Sequence, residues 1–166
     1  MPALEPPGAA FTAIHEMVER CRAANNPHRI VRLNSGWVVM GERQVLPGYC
    51  LLLPDPVVPH LNALQAAERS QFLADMALLG DALMAIANAV RVNYAIFGNV
   101  EPALHAHVFP RLADEPPAQR TAHPWALDWD RAPGFSEAVH GELRKRIGAW
   151  LAGSGRNRAV GEPCPP

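Results

Sequence analysis

Three short strand-like runs follow one another with only turns between them, and this order constrains the fold more than any other feature of the chain. The first, Arg29 to Leu33, carries the β-branched pair Ile30 and Val31 and ends in the turn Asn34-Ser35-Gly36. The second is Trp37 to Met40, and the third is Gly48 to Leu53, closed by Pro54. Residues of this type between turn signals read as strands. Strands joined by short turns must run antiparallel, because a parallel pair needs a long crossover. A helix from Ala66 to Val90 follows. Its apolar stripe is Phe72, Met76, Leu79, Leu83, Ile86 and Val90, stepping by three and four. Val92 to Phe97 and Ala103 to Phe109 read as two further strands, separated by the turn at Gly98-Asn99. The absence of regular β-α alternation excludes a doubly wound parallel sheet. The order predicts an α+β domain: an antiparallel sheet of about five strands with helices packed on one face.

Two more helices are expected, from Gly8 to Ala24 and from Phe135 to Leu151. Between the last strand and the last helix, Arg111 to Arg131 is long, polar and rich in proline. Segments of that length usually serve a site or are disordered. Trp125, Leu127 and Trp129 offer apolar anchors at alternating positions, so the segment is expected to wrap the body of the domain rather than act as a lid. The chain has 166 residues, 49% hydrophobic and 19% charged. That is enough apolar material for one core, and the domain is expected to span residues 8–152. Residues 1–7 and 153–166, proline-rich and without apolar period, are expected to be disordered tails.

Charge narrows the partners. Fifteen basic residues face sixteen acidic ones, a net charge of −1, which leaves no footprint for nucleic acid or an anionic membrane. No apolar run approaches the about 18 residues of a membrane span. The N-terminus has neither the basic nor the apolar region of a secretory signal. Cys21, Cys50 and Cys164 are too few for a disulfide framework and show no CxxC spacing. The expected compartment is the reducing cytoplasm.

The chemistry points to Ala103-Leu104-His105-Ala106-His107-Val108-Phe109-Pro110. On a strand, His105, His107 and Phe109 share one face, while Leu104, Ala106 and Val108 share the other, apolar face suited to lying on a helix. The two imidazoles then lie about 6–7 Å apart along the strand. Neutral imidazoles so placed can grip a phosphate, supply a nucleophile and relay a proton. Spacing alone also admits half of a metal site or a solvated face. A metal would want a third ligand, and the strand carries no Asp or Glu. His15, His28, His60, His123 and His140 show no partner pattern and read as structural or surface residues, and Cys50 reads as a small buried hydrophobe.

The stretch LHAHVFPR resembles the signature of the histidine triad (HIT) superfamily, HxHxH followed by apolar residues and often Pro-Arg. Upstream, Val45-Leu46-Pro47-Gly48-Tyr49-Cys50-Leu51-Leu52-Leu53-Pro54 is similar to the family's Pro-Gly strand, and the long helix falls in the family's order. The similarity covers about Arg29 to Arg111. It implies a HIT-like fold and a nucleotide hydrolase or nucleotidyl transferase acting next to a nucleoside monophosphate. His105 takes the middle, nucleophilic position of the triad and would form a nucleotidyl-histidine intermediate. His107 takes the third position and would hydrogen-bond phosphoryl oxygens. Purine nucleotides such as dinucleoside polyphosphates are the implied substrates, with phosphoramidates second; no cofactor or metal is implied, and a homodimer is.

The chain departs from the pattern in four places. Ala103 replaces the first histidine. The loop Gly98 to Pro102 is short and lacks the usual Gly-Gln-Ser/Thr, leaving Asn99, with Gly98, as the candidate phosphate contact. Tyr49 stands where the family often has His. Gly41, with Glu42 beside it, occupies the region of the family's ribose-binding Asp or Asn. Arg111 is a candidate to balance phosphate charge. The rival reading, favoured by Ala103 and the short loop, is a nucleotide- or partner-binding module without turnover.

Overall fold

The structure is a computed structural model, described here for residues 11–154. The expectations for the two tails lie mostly outside those residues. Helix α1 (Ala13–Arg22) leads into strands β1 (Arg29–Arg32), β2 (Gly36–Met40) and β3 (Cys50–Pro54). Helix α2 (Ala66–Ile86) follows, then β4 (Ala89–Ala95) and β5 (Ala106–Leu112), the short helix α3 (Pro117–Arg120) and the long α4 (Glu137–Ser154). The strands form one antiparallel sheet in the order β1-β2-β3-β5-β4. This is the expected α+β architecture.

The expected boundaries shift for local reasons. α1 begins at Ala13, because Thr12 is extended, with its N–H bonded to the His15 ring at 3.2 Å. α2 ends at Ile86 rather than Val90. Asn88 takes φ 55°, the left-handed conformation that stops a helix, and Val90 becomes an exposed residue of β4. α4 continues through Ser154, two residues past the expected domain end. β5 begins three residues later than expected and runs through Pro110. β3 pairs with β5 only between Val108 and Ala106, so Pro110 lies beyond that ladder, opposite Val92 of β4. A proline there costs no bond to β3.

Both faces of the sheet are covered, which corrects the expectation of helices on one face. On one side, Phe72, Leu79 and Leu83 of α2 and Ile147 and Leu151 of α4 pack on Val38, Met40, Leu52, Leu104, Ala106 and Val108. On the other, Ile14, Val18 and Cys21 of α1 pack with Val39, Tyr49, Leu51, Leu53 and Phe109, joined by Leu127 and Trp129. β3 is buried at all five positions, so it serves both layers and shows no polar alternation. The small residues Leu104, Ala106 and Val108 do lie toward α2. That leaves His107 and Phe109 facing the second layer, where the long segment crosses.

Candidate active site

The site grows from the junction between the Gly98–Pro102 loop and β5. His105 lies just before β5 begins, not within it. Leu104 donates its N–H to the Val58 carbonyl at 2.8 Å, and Ala103 donates its own to the Glu101 carboxylate at 3.0 Å. These bonds bend the chain so that the His105 ring turns back on its own backbone. Its Nδ1 lies 2.8 Å from the Ala103 carbonyl oxygen. A carbonyl only accepts, so Nδ1 carries the proton and Nε2 keeps its lone pair. His105 is only 6% exposed.

His107, in β5 opposite Leu51 of β3, has its ring centroid 4.7 Å from that of His105, at 73°. The bend before β5 brings the rings closer than the strand repeat would. Around His107 stand Tyr49, Phe97, Phe109 and Trp125. Trp125 meets it edge-on at 4.9 Å and Phe109 stacks at 5.9 Å. The Tyr49 hydroxyl lies 2.6 Å from His107 Nδ1. Burial, reinforced by the neighbouring His105, pushes the His107 pKa down to about 4, so the ring is neutral at physiological pH.

Tyr49, noted in the sequence only as a departure from the family pattern, is a site residue whose role sequence reasoning did not assign. Its signal was present: it follows Pro47-Gly48 and alternates with Leu51 and Leu53, which places it on the His107 face. Its ring stacks on Phe109 at 4.4 Å and meets Trp129 edge-on at 5.6 Å. Gly41 makes room for it, since a Cβ there would come within 2.2 Å of the Tyr49 ring. Burial pushes the phenol pKa up, so the hydroxyl keeps its proton.

The remaining candidates fall in different places. Gly98 and Asn99 sit exposed in the loop leading to His105, and among the described residues the Asn99 amide makes no hydrogen bond. Glu42 is exposed, and its backbone carbonyl accepts from Phe135 N–H at 2.7 Å, which ties this turn to the start of α4 rather than to the histidines. Arg111 is not a free cation. It is buried, bound two-pronged to Glu115 at 2.6 and 3.0 Å, and it donates to Asn93, the Ala122 carbonyl and the Gln119 carbonyl. Arginine carries five donors in a fixed fork, and here they knot the segment after β5 onto β4. A cavity of about 790 Å³ opens beside this knot, along Asn93 and Tyr94 of β4, and Trp125, which meets His107 edge-on, is among its lining residues. Among the described residues no three His, Cys, Asp or Glu side chains cluster as a metal site would require, and no helix is long and apolar enough to cross a membrane.

A five-stranded antiparallel sheet delivering paired imidazoles from the start of its fourth-ranked strand defines a histidine triad type of domain. The chain matches the model of the HIT domain over residues 23–114, more than half its length, and it belongs to that family. Its fold is that of solved HIT proteins. A histidine triad protein from Sinorhizobium meliloti is 20% identical, with TM-score 0.64 over 78% of this chain and 93% of that one. One from Marinobacter aquaeolei is 18% identical, with TM-score 0.66 over 80% and 93%. A hypothetical histidine triad nucleotide-binding protein from Sulfolobus tokodaii is 12% identical, with TM-score 0.66 over 87% and 99%. No curated protein matches the sequence.

Proposed function

We propose that the protein is a nucleotide hydrolase or nucleotidyl transferase that attacks the α-phosphorus of a nucleotide through His105. The observation that carries this reading is the bond from His105 Nδ1 to the Ala103 carbonyl, which reserves Nε2 as a nucleophile. Nε2 attacks phosphorus, a P–N bond forms, the P–O bond to the leaving group breaks, and its electron pair leaves with the departing oxygen. Water then attacks the nucleotidyl-histidine and releases the nucleoside monophosphate. His107 donates a hydrogen bond to a phosphoryl oxygen as charge builds, and the Asn99 amide is the second candidate donor. A neutral His107 gives a hydrogen bond rather than a proton. A phosphoanhydride such as a dinucleoside polyphosphate is the first substrate class and a phosphoramidate the second, as the resemblance to the family implies. The name of the Sulfolobus neighbour, a nucleotide-binding protein, is in keeping with this reading. Arg111, held by Glu115, has no part in it.

His105→Asn is expected to keep nucleotide binding and lower turnover on the order of 10³-fold or more. His107→Ala is expected to lose about 10²-fold, the size of one lost oxyanion donor. Turnover of the His105 variant within about tenfold of the parent protein would remove the nucleophile assignment. The second reading is a nucleotide-binding module without turnover. Ala103, buried at the first triad position, favours it, because the site there lacks one of the family's three imidazoles.

A further inference from the structure

The pair Tyr49–His107 carries information beyond the presence of two histidines. Tyr49 is 4% exposed, and among the described residues His107 Nδ1 is the only hydrogen-bond partner of its hydroxyl. A buried hydroxyl that donated nothing would bear the cost of an unmade hydrogen bond. The phenol therefore donates, and Nδ1 accepts. The His107 proton then resides on Nε2, which makes no hydrogen bond among the described residues. Of the aromatic groups packed around the ring among the described residues, His105 and Tyr49 titrate, and Phe97, Phe109 and Trp125 do not.

We propose that Tyr49 is a positioning residue that fixes His107 as the neutral Nε2–H tautomer, so that this ring presents a hydrogen-bond donor to the phosphoryl group. This rests on the hydrolase reading for its purpose but not for its geometry. The two histidines are thereby held in opposite tautomers. The Ala103 carbonyl keeps the His105 proton on Nδ1 and leaves Nε2 as a lone pair; the Tyr49 hydroxyl keeps the His107 proton on Nε2. One ring attacks and the other donates, and each tautomer is set by a partner on the side away from the reaction. The arrangement ties together two of the chain's departures from the family pattern. Gly41, which by resemblance lies nearest the family's ribose-binding Asp or Asn, is the residue over which the Tyr49 ring lies, and a side chain there would meet it. The ring that sets the tautomer therefore occupies the space such a side chain would need.

The test uses the full-length protein labelled with ¹⁵N-histidine and long-range ¹H–¹⁵N spectra of the imidazoles at neutral pH, without ligand. His107, assigned by its loss in His107→Gln, is expected to show a protonated Nε2 and a bare Nδ1, while His105 shows the reverse. In Tyr49→Phe, which keeps the stacked ring, the His107 signals are expected to move to a mixture of both tautomers. With a dinucleoside polyphosphate, kcat of Tyr49→Phe is expected to fall about tenfold, one ordinary hydrogen bond's worth, with KM within about twofold. A protonated Nδ1 on His107 of the parent protein would overturn the proposal even if the variant did not fold. An unchanged Nε2–H spectrum in Tyr49→Phe would overturn it as well. The spectra need no turnover, so an inactive protein showing the expected tautomers would count against the hydrolase reading alone.

Discussion

His107 couples the chemistry of the site to the stability of the domain. Its folded pKa is about 4, against an ordinary value of 6.5, because burial disfavours the imidazolium and His105 adds to this. Between those values the unfolded chain takes up a proton that the folded chain refuses. Stability is therefore independent of this group above pH 6.5, falls as the pH drops from 6.5 to 4, and levels off below 4. The shift sets an upper limit to this loss of about 3 kcal/mol, reduced by whatever solvent reaches the half-buried ring. His28, half-buried and also lowered chiefly by burial, acts in the same direction. Comparing the parent protein with His107→Gln isolates His107. Urea midpoints at pH 7.5 and 4.5 are expected to show a smaller acid loss in the variant, and equal losses in both proteins would contradict the burial of a neutral ring.

The Arg111 knot governs the segment that follows β5. Glu115 is buried; burial raises its pKa, but the Arg111 guanidinium and the Leu112 N–H outweigh this and hold it below the usual carboxylate range. Removing the cation leaves a buried charge unpaired, so Arg111→Met is expected to cost about 3 kcal/mol in urea unfolding. Amide exchange across residues 113–122 is expected to quicken, since Gln119 and Ala122 lose the donor that holds their carbonyls. A change below about 1 kcal/mol would mean that Trp129 and Leu127 hold the segment without the knot. The elements themselves were legible in the sequence wherever a period was clean. The stripe from Phe72 to Ile86 is seen as read, and the turn at Asn34-Ser35 nearly so, with Gly36 already paired in β2 opposite Pro54. What was not legible was set by partners distant along the chain. Pairing of Arg111 with Glu115 looks, in sequence, like any exposed charge pair. The start of β5 at Ala106 depends on bonds from Leu104 to Val58 and from Ala103 to Glu101, which no local period announces. Tyr49 was visible as a departure from the family pattern, but its role required the register that sets β3 beside β5.

At the scale of the whole molecule, α2 and the edge strand β4 leave apolar side chains in water. Leu73 and Met84 on α2, and Val90 and Tyr94 on β4, are each more than a third exposed. Such a patch on adjoining elements is costly on a monomer, and we propose that it is covered by a second copy of the chain. Light scattering at micromolar concentration is expected to give twice the mass of 18.1 kDa, with Tyr94→Arg shifting the value toward the monomer; a monomeric parent protein would contradict this. Intact mass also reads the central claim, that His105 becomes covalently nucleotidylated. The protein is mixed with a dinucleoside polyphosphate, quenched in base within the first turnover and weighed by mass spectrometry. An increase of one nucleoside monophosphate, localised to His105 and absent in His105→Asn, is the predicted result. Substrate consumed with no adduct, or an adduct that persists in the His105 variant, would contradict it.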